Sequence, residues 1–246
     1  MFQKVIRKIS GEKVESHEID TLILNEAVNF EKKTIFIAVP KTGTTSVRKQ
    51  LRQEGKAIVE NPHLDILQIR DSLYVYFLKI ALGNNRTFPS SSVPTNKEVH
   101  IRADETFRTF FKFSAVRNPW ARAVSLYHRR EGVLMSEQLS FDDFCKKHFY
   151  ASDTCFHPTL HKNQLDWLCD DEENLLMDYV YKLENFDDAI TEIAERTDGR
   201  IQLVNRRANS NPNSLASKYR ELYTEETRRI IAQRFEKDIE YFKYTF

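Results

Sequence analysis

The stretch Thr34-Ile-Phe-Ile-Ala-Val39, followed at once by Pro40-Lys41-Thr42-Gly43-Thr44-Thr45-Ser46, decides how this chain folds. Its first half is a near-continuous apolar run, which predicts a strand buried on both faces of a parallel sheet. Pro40 stops that strand because it has no N–H to give to a ladder. From Thr44 to Glu54 the β alternation is gone, Val47 and Leu51 stand one helical turn apart, and Gly55 reads as a helix stop. Strand, turn and helix thus follow without a spacer, with Gly43 in the turn. A loop in that position can aim its backbone N–H groups, together with the unpaired N–H groups of the first helical turn, at a phosphate. Lys41 adds a cation, and Thr42, Thr44, Thr45 and Ser46 add hydroxyls.

The same geometry recurs further on. Phe111-Lys-Phe-Ser-Ala-Val116 predicts a second buried strand and leads into Arg117-Asn118-Pro119, where Asn118 suits an N-cap and Pro119 the first helical position. The helix is expected to run to Gly132, with Trp120, Ala123, Val124 and Tyr127 as its apolar face and Arg122, Ser125 and Arg129 elsewhere around the axis. Between the two units lie an apolar helical stretch around Ile66 to Leu82, the turn Gly83-Asn-Asn85 and a Ser/Pro-rich loop from Pro89 to Pro94. Beyond them, Ser140 with Asp143 opens a short helix, and Asp178 to Leu183 alternates as a strand. Asn185 is expected to cap a helix stopped by Gly199, and Thr224 a last amphipathic helix through Phe235. Strands alternating with helices predict an α/β domain with a mostly parallel sheet. No internal repeat or linker divides the chain, so residues 1–246 are read as a single domain.

Composition bounds the function. Lys+Arg number 37 against 36 Asp+Glu, a net charge of +1, which argues against a surface built for nucleic acid or anionic membrane and makes any anion site local. Only six residues are glycine, and Gly43 alone lies between a buried strand and a helix start. The three cysteines, Cys145, Cys155 and Cys169, suit free thiols in a reducing compartment better than a disulfide framework. Met1 to Ser10 lacks the apolar core of a signal peptide, and the longest apolar stretch, Leu73 to Leu82, carries Lys79 and is too short to span a bilayer. The expectation is a soluble cytoplasmic protein, with a luminal domain as the alternative.

The loop is not a Walker A motif, which requires G-x-x-x-x-G-K-[ST]; here lysine precedes the only glycine. It resembles instead the phosphosulfate-binding loop of sulfotransferases, P-K-[TS]-G-[TS]-[TS]. The second half of that signature, R-[DN]-P followed by a serine on the next helix, matches Arg117-Asn118-Pro119 and Ser125, eight residues apart. The resemblance extends from about Ile35 to the C-terminus and is closest to the carbohydrate sulfotransferase branch, sulfotransferase family 2-like, which includes Golgi enzymes and bacterial relatives. His161-Lys-Asn-Gln164, Tyr179-Val-Tyr-Lys-Leu-Glu184, Tyr219-Arg-Glu-Leu-Tyr-Thr224 and Asp238-Ile-Glu-Tyr-Phe-Lys-Tyr244 are further echoes. One departure stands at Ala121, a position that usually holds an acid before the arginine, so a local salt bridge is in doubt there.

The resemblance implies a P-loop-like three-layer α/β fold, a central mostly parallel sheet flanked by helices. It implies 3′-phosphoadenosine-5′-phosphosulfate (PAPS) as sulfuryl donor and an acceptor hydroxyl, of a carbohydrate in this branch. Lys41, with Thr42, Gly43, Thr44, Thr45 and Ser46, would hold the 5′-phosphate and the charge growing on the bridging oxygen. Arg117 and Ser125 would hold the 3′-phosphate, and Arg206 and Arg207 are candidates to close over the adenosine phosphates, a solvated basic loop being the other reading. An acceptor hydroxyl needs a base, and His100, seventeen residues before Arg117, is the candidate because Lys97-Glu-Val-His100-Ile-Arg-Ala103 resembles the family's K-H-x-x-A segment; Glu98 and Asp104 stand in reserve. Cys155, His157, His161 and Cys169 could supply four zinc ligands, but their spacing fits no standard finger, and neither zinc nor magnesium is expected. A P-loop nucleotide kinase and a non-catalytic adenosine 3′,5′-bisphosphate-binding module are the alternatives.

Overall fold

The computed structural model describes residues 22–83, 95–128, 139–149, 162–205 and 218–246. Among the described residues, the chain opens with β1 (Leu22–Ile23), β2 (Val28–Asn29) and β3 (Thr34–Ile37), then α1 (Thr44–Leu51), β4 (Lys56–Ala57), α2 (Ile66–Gly83) and α3 (Asn96–Thr109). It continues through β5 (Phe111–Val116), α4 (Pro119–Tyr127), α5 (Phe141–His148), β6 (Tyr179–Lys182), α6 (Phe186–Arg196), α7 (Glu225–Arg234) and α8 (Glu236–Phe242). The main sheet has the order β2-β3-β5-β6, with β2 antiparallel to β3 and the other pairs parallel; β1 and β4 form a separate parallel pair.

Side-chain alternation along β3 builds the layers. Ile35, Ile37 and Val39 point into one apolar cluster, shared with Ile66, Ile69 and Leu73 of α2, Val124 of α4, Phe144 of α5 and Ile231 of α7. Phe36 and Ala38 point the opposite way, into a second cluster with Val47 and Leu51 of α1, Phe113 and Ala115 of β5, and Ala189 and Ile193 of α6. Helices therefore cover both faces, giving the three-layer, mostly parallel α/β arrangement expected from the sequence. No helix among the described residues is long and apolar enough to cross a membrane.

Element ends show where local pattern was overruled. The helix expected from Thr44 to Glu54 stops at Leu51, because Arg52 turns extended (φ −57, ψ 133) and Asn29 Nδ2 donates to Leu51 O at 2.8 Å. Asn185 precedes α6, but its side chain makes no capping bond; residues Leu183–Asn185 are wound into a 3₁₀ turn that leads into the helix. The stop at Gly199 is real: with φ 75 it lets its N–H reach Ala194 O at 2.8 Å. Ser140 and Thr224 cap α5 and α7 by accepting from Asp143 N and Thr227 N. Helix α3, absent from the elements expected above, opens with a capping box between Thr95 and Glu98.

The amphipathic reading of α4 needs correction. Every residue from Pro119 to Val124 is buried, and Arg122, expected away from the apolar face, is 0% exposed. The helix runs between the sheet, α5, α7 and the C-terminal segment, so burial surrounds it and periodicity does not report a single face. Its entry is held by Asn118, whose Oδ1 accepts from Trp120 N at 3.0 Å and Ala121 N at 3.3 Å and whose Nδ2 donates to Thr245 O at 2.8 Å. Asn118→Ala is expected to lower the unfolding free energy by about 1–2 kcal/mol. A lower urea midpoint at unchanged slope is the readout, and an unchanged midpoint would remove this cap from the account.

Candidate functional site

Parallel pairing sets Ile37 opposite Ser114, so the loops after β3 and β5 emerge side by side at the C-terminal edge of the sheet, where ligands of open α/β folds bind. The loop after β3 is shaped by two residues in the left-handed region, Lys41 (φ 70) and Gly43 (φ 78). Glycine takes that conformation freely; for Lys41 it costs on the order of 1–2 kcal/mol. Neighbours hold it there: Thr42 Oγ1 donates to Val39 O at 2.9 Å, and Arg117 Nη1 donates to Lys41 O at 3.3 Å. Gly43 is the N-cap of α1 and supplies no side-chain cap, so the first-turn N–H groups keep the unmatched donors that suit an anion.

These loops wall a cavity of about 630 Å³. Pro40, Lys41, Gly43, Thr44, Thr45 and Ser46 line it from the first loop, Lys49 from the next turn of α1, and Arg117 and Ser125 from the second unit; His63 completes the lining. Three of these residues are cations and none is a carboxylate, so the cavity is locally electropositive in a chain of net charge +1.

The structure thus brings together Lys41, Gly43, Thr44, Thr45, Ser46, Arg117 and Ser125 from the sequence-predicted set. Thr42 is fully buried and spends its hydroxyl on Val39 O, so its side chain serves the loop and does not line the cavity. His100 is exposed on α3 with its ring stacked on Tyr74, centroids 4.2 Å apart, and does not line the cavity. Arg206 and Arg207 lie outside the described residues, as do Cys155, His157 and His161.

Two lining residues went unnoticed in the sequence. Lys49 follows Thr45 by one helical turn, and the hydroxyl-rich loop drew attention from it. His63 lies in the Asn61-Pro62-His63 turn before α2, where the only local signal is a turn dipeptide. Its Nδ1 is 2.6 Å from Ala38 O. A carbonyl can only accept, so Nδ1 carries the hydrogen, and the neutral ring then has its lone pair on Nε2.

A family model described as "Sulfotransferase family" matches residues 27–245, and the chain belongs to that family. Searches of curated proteins and of solved structures return no match to it. The match spans both loops, all four strands of the main sheet and the C-terminal helices. If the left-handed turn shapes the site, Gly43→Ala lowers stability by about 1–2 kcal/mol through the Cβ penalty at φ 78. Chemical denaturation measures this, and a loss near zero would mean that the loop relaxes at no cost.

Proposed function

We propose that this sulfotransferase moves the sulfuryl group of PAPS in line onto an acceptor hydroxyl, of a carbohydrate, and that residues 27–245 act as one catalytic domain. One observation carries the reading: a cavity at the C-terminal edge of two parallel strands whose lining among the described residues holds no carboxylate, with Lys41 and Arg117 on adjacent loops. Two cations carried by different loops onto one cavity suit a nucleotide with two phosphate groups. The choice of a carbohydrate rests on the sequence resemblance to that branch.

In this mechanism the first-turn N–H groups of α1 and the Lys41 ammonium receive the charge that builds on the leaving 5′-phosphate oxygen as its bond to sulfur breaks. Arg117 offers its guanidinium fork, and Ser125 its hydroxyl, to the 3′-phosphate. The acceptor oxygen forms the new bond to sulfur while its proton passes to a base. His63 takes that role, because it lines the cavity and its Nδ1, held 2.6 Å from Ala38 O, makes Nε2 the basic nitrogen of the neutral ring. His100, the base expected from the sequence, is exposed on α3 and stacked on Tyr74, and passes that role to His63 in this reading.

The experiment is sulfate transfer from labelled PAPS to a glycan panel. His63→Ala is expected to reduce turnover by about 10²–10⁴-fold, and Lys41→Ala by about 10²–10³-fold, while His100→Ala stays within about twofold of the parent, well below the loss of a general base. Full activity in His63→Ala, or collapse in His100→Ala, would return the base role to His100. Magnesium-dependent ATP binding tighter than that of adenosine 3′,5′-bisphosphate would sink the sulfotransfer reading in favour of a kinase.

A further inference from the structure

Behind the cavity, three fully buried polar side chains on distant parts of the chain join the two phosphate-facing loops. Asp238 of α8 accepts from Gln164 N at 2.8 Å, Leu165 N at 2.9 Å and Gln164 Nε2 at 3.2 Å. The Gln164 carboxamide in turn bonds to the Arg117 backbone twice: Nε2 donates to Arg117 O and Oε1 accepts from Arg117 N, each at 2.8 Å. Arg122 Nε donates to Pro40 O at 3.1 Å, directly before Lys41, and Asp238 exerts an attraction on its charge that burial outweighs.

We propose that Gln164 is a positioning residue for 3′-phosphate recognition, oriented by Asp238, and that the buried Arg122 holds the Lys41 loop through Pro40 O. The inference rests on the PAPS reading of the cavity. Its physical basis is geometric. A carboxamide bonded to both the N–H and the carbonyl of one residue ties together the two peptide planes that meet at its Cα, and so fixes the direction in which the Arg117 side chain leaves the backbone. Asp238 decides which end of the carboxamide is which, because a carboxylate accepts only, so the amide nitrogen must face it.

Energetics argue for a positioning role over a purely stabilising one. Burial comes first among the influences on both charges: it pulls the Arg122 guanidinium down to about 10 and pushes the Asp238 carboxyl up, and their attraction and the two backbone N–H bonds recover only part of this. Apolar residues of similar shape would fill the space at less cost. The charges earn retention through the loops they hold.

Calorimetry on the full chain separates positioning from stability by comparing adenosine 3′,5′-bisphosphate with adenosine 5′-monophosphate, which lacks only the 3′-phosphate. Gln164→Met keeps the volume and removes both bonds to Arg117. The preference for the 3′-phosphorylated nucleotide is expected to fall about tenfold or more, a 1 Å misplacement costing up to about 10²-fold, with 5′-monophosphate affinity within about twofold of the parent, a difference of roughly 0.4 kcal/mol. In an Arg117→Ala background the same substitution should change the preference no further, because it acts through Arg117. A folded Gln164→Met protein that keeps the parent's preference, or a loss that adds fully to that of Arg117→Ala, overturns the proposal. If Gln164→Met does not fold, Asp238→Asn, which keeps the shape but only one of the two acceptor oxygens that the Gln164 and Leu165 N–H groups use, is read in the same way. Failure of the underlying PAPS reading is distinguishable, since the parent protein itself would then show no preference, and the proposal would fall with it.

Discussion

The parallel pairing of β3 with β5, in the register Thr34 to Phe111 through Ile37 to Ser114, is the constraint on which the rest depends. It brings Lys41 and Arg117, 76 residues apart in the chain, to a 3.3 Å contact between guanidinium and carbonyl. A slip of one residue would turn Phe36 and Phe113 out of their shared cluster and Ile35 and Ile37 out of the other, so both faces of the sheet oppose it. Ser114 adds a lock across the pair, its hydroxyl donating to Ile37 O at 2.7 Å.

That edge is then tightened by polar contacts from the rest of the molecule. Glu184, just past β6, accepts from Asn118 N at 2.9 Å and from the Tyr244 hydroxyl at 3.3 Å, while Asn118 holds Thr245 O. Gln50 of α1 accepts from Val204 N at 2.8 Å, tying the segment that follows α6 to the helix behind Lys41. The strained Lys41 backbone, the buried Arg122 and the buried Asp238 each cost stability locally. They persist in a structure whose two large apolar clusters supply the surplus, the usual relation between a site and the scaffold that carries it.

Much of this was legible residue by residue. Buried strands announce themselves by composition, so β5 was bounded correctly at Phe111 and Val116 and β3 to within two residues. Caps with side-chain oxygens, at Ser140 and Thr224, follow from local chemistry and were found. Helix α3 was not, because its apolar positions are few and its start signal is a Thr/Glu pair at the edge of a Ser/Pro-rich stretch. His100 was singled out by its neighbours in sequence, whereas the lining of a cavity is set by neighbours in space. His63 lines it, and its ring is held there against Ala38 O, 25 residues away.

By itself, then, the sequence determined the alternation of strands and helices, the two loops at the sheet edge and the family, since each is encoded within a dozen or so consecutive residues whose backbone needs are local. Tertiary structure alone decided which histidine lines the cavity, how α4 can be buried all round with an arginine inside it, and which residues stand behind Arg117. Those outcomes depend on groups 25 to 82 residues apart, as in His63 with Ala38 and Arg122 with Pro40, and a short-range pattern carries no record of partners at that separation.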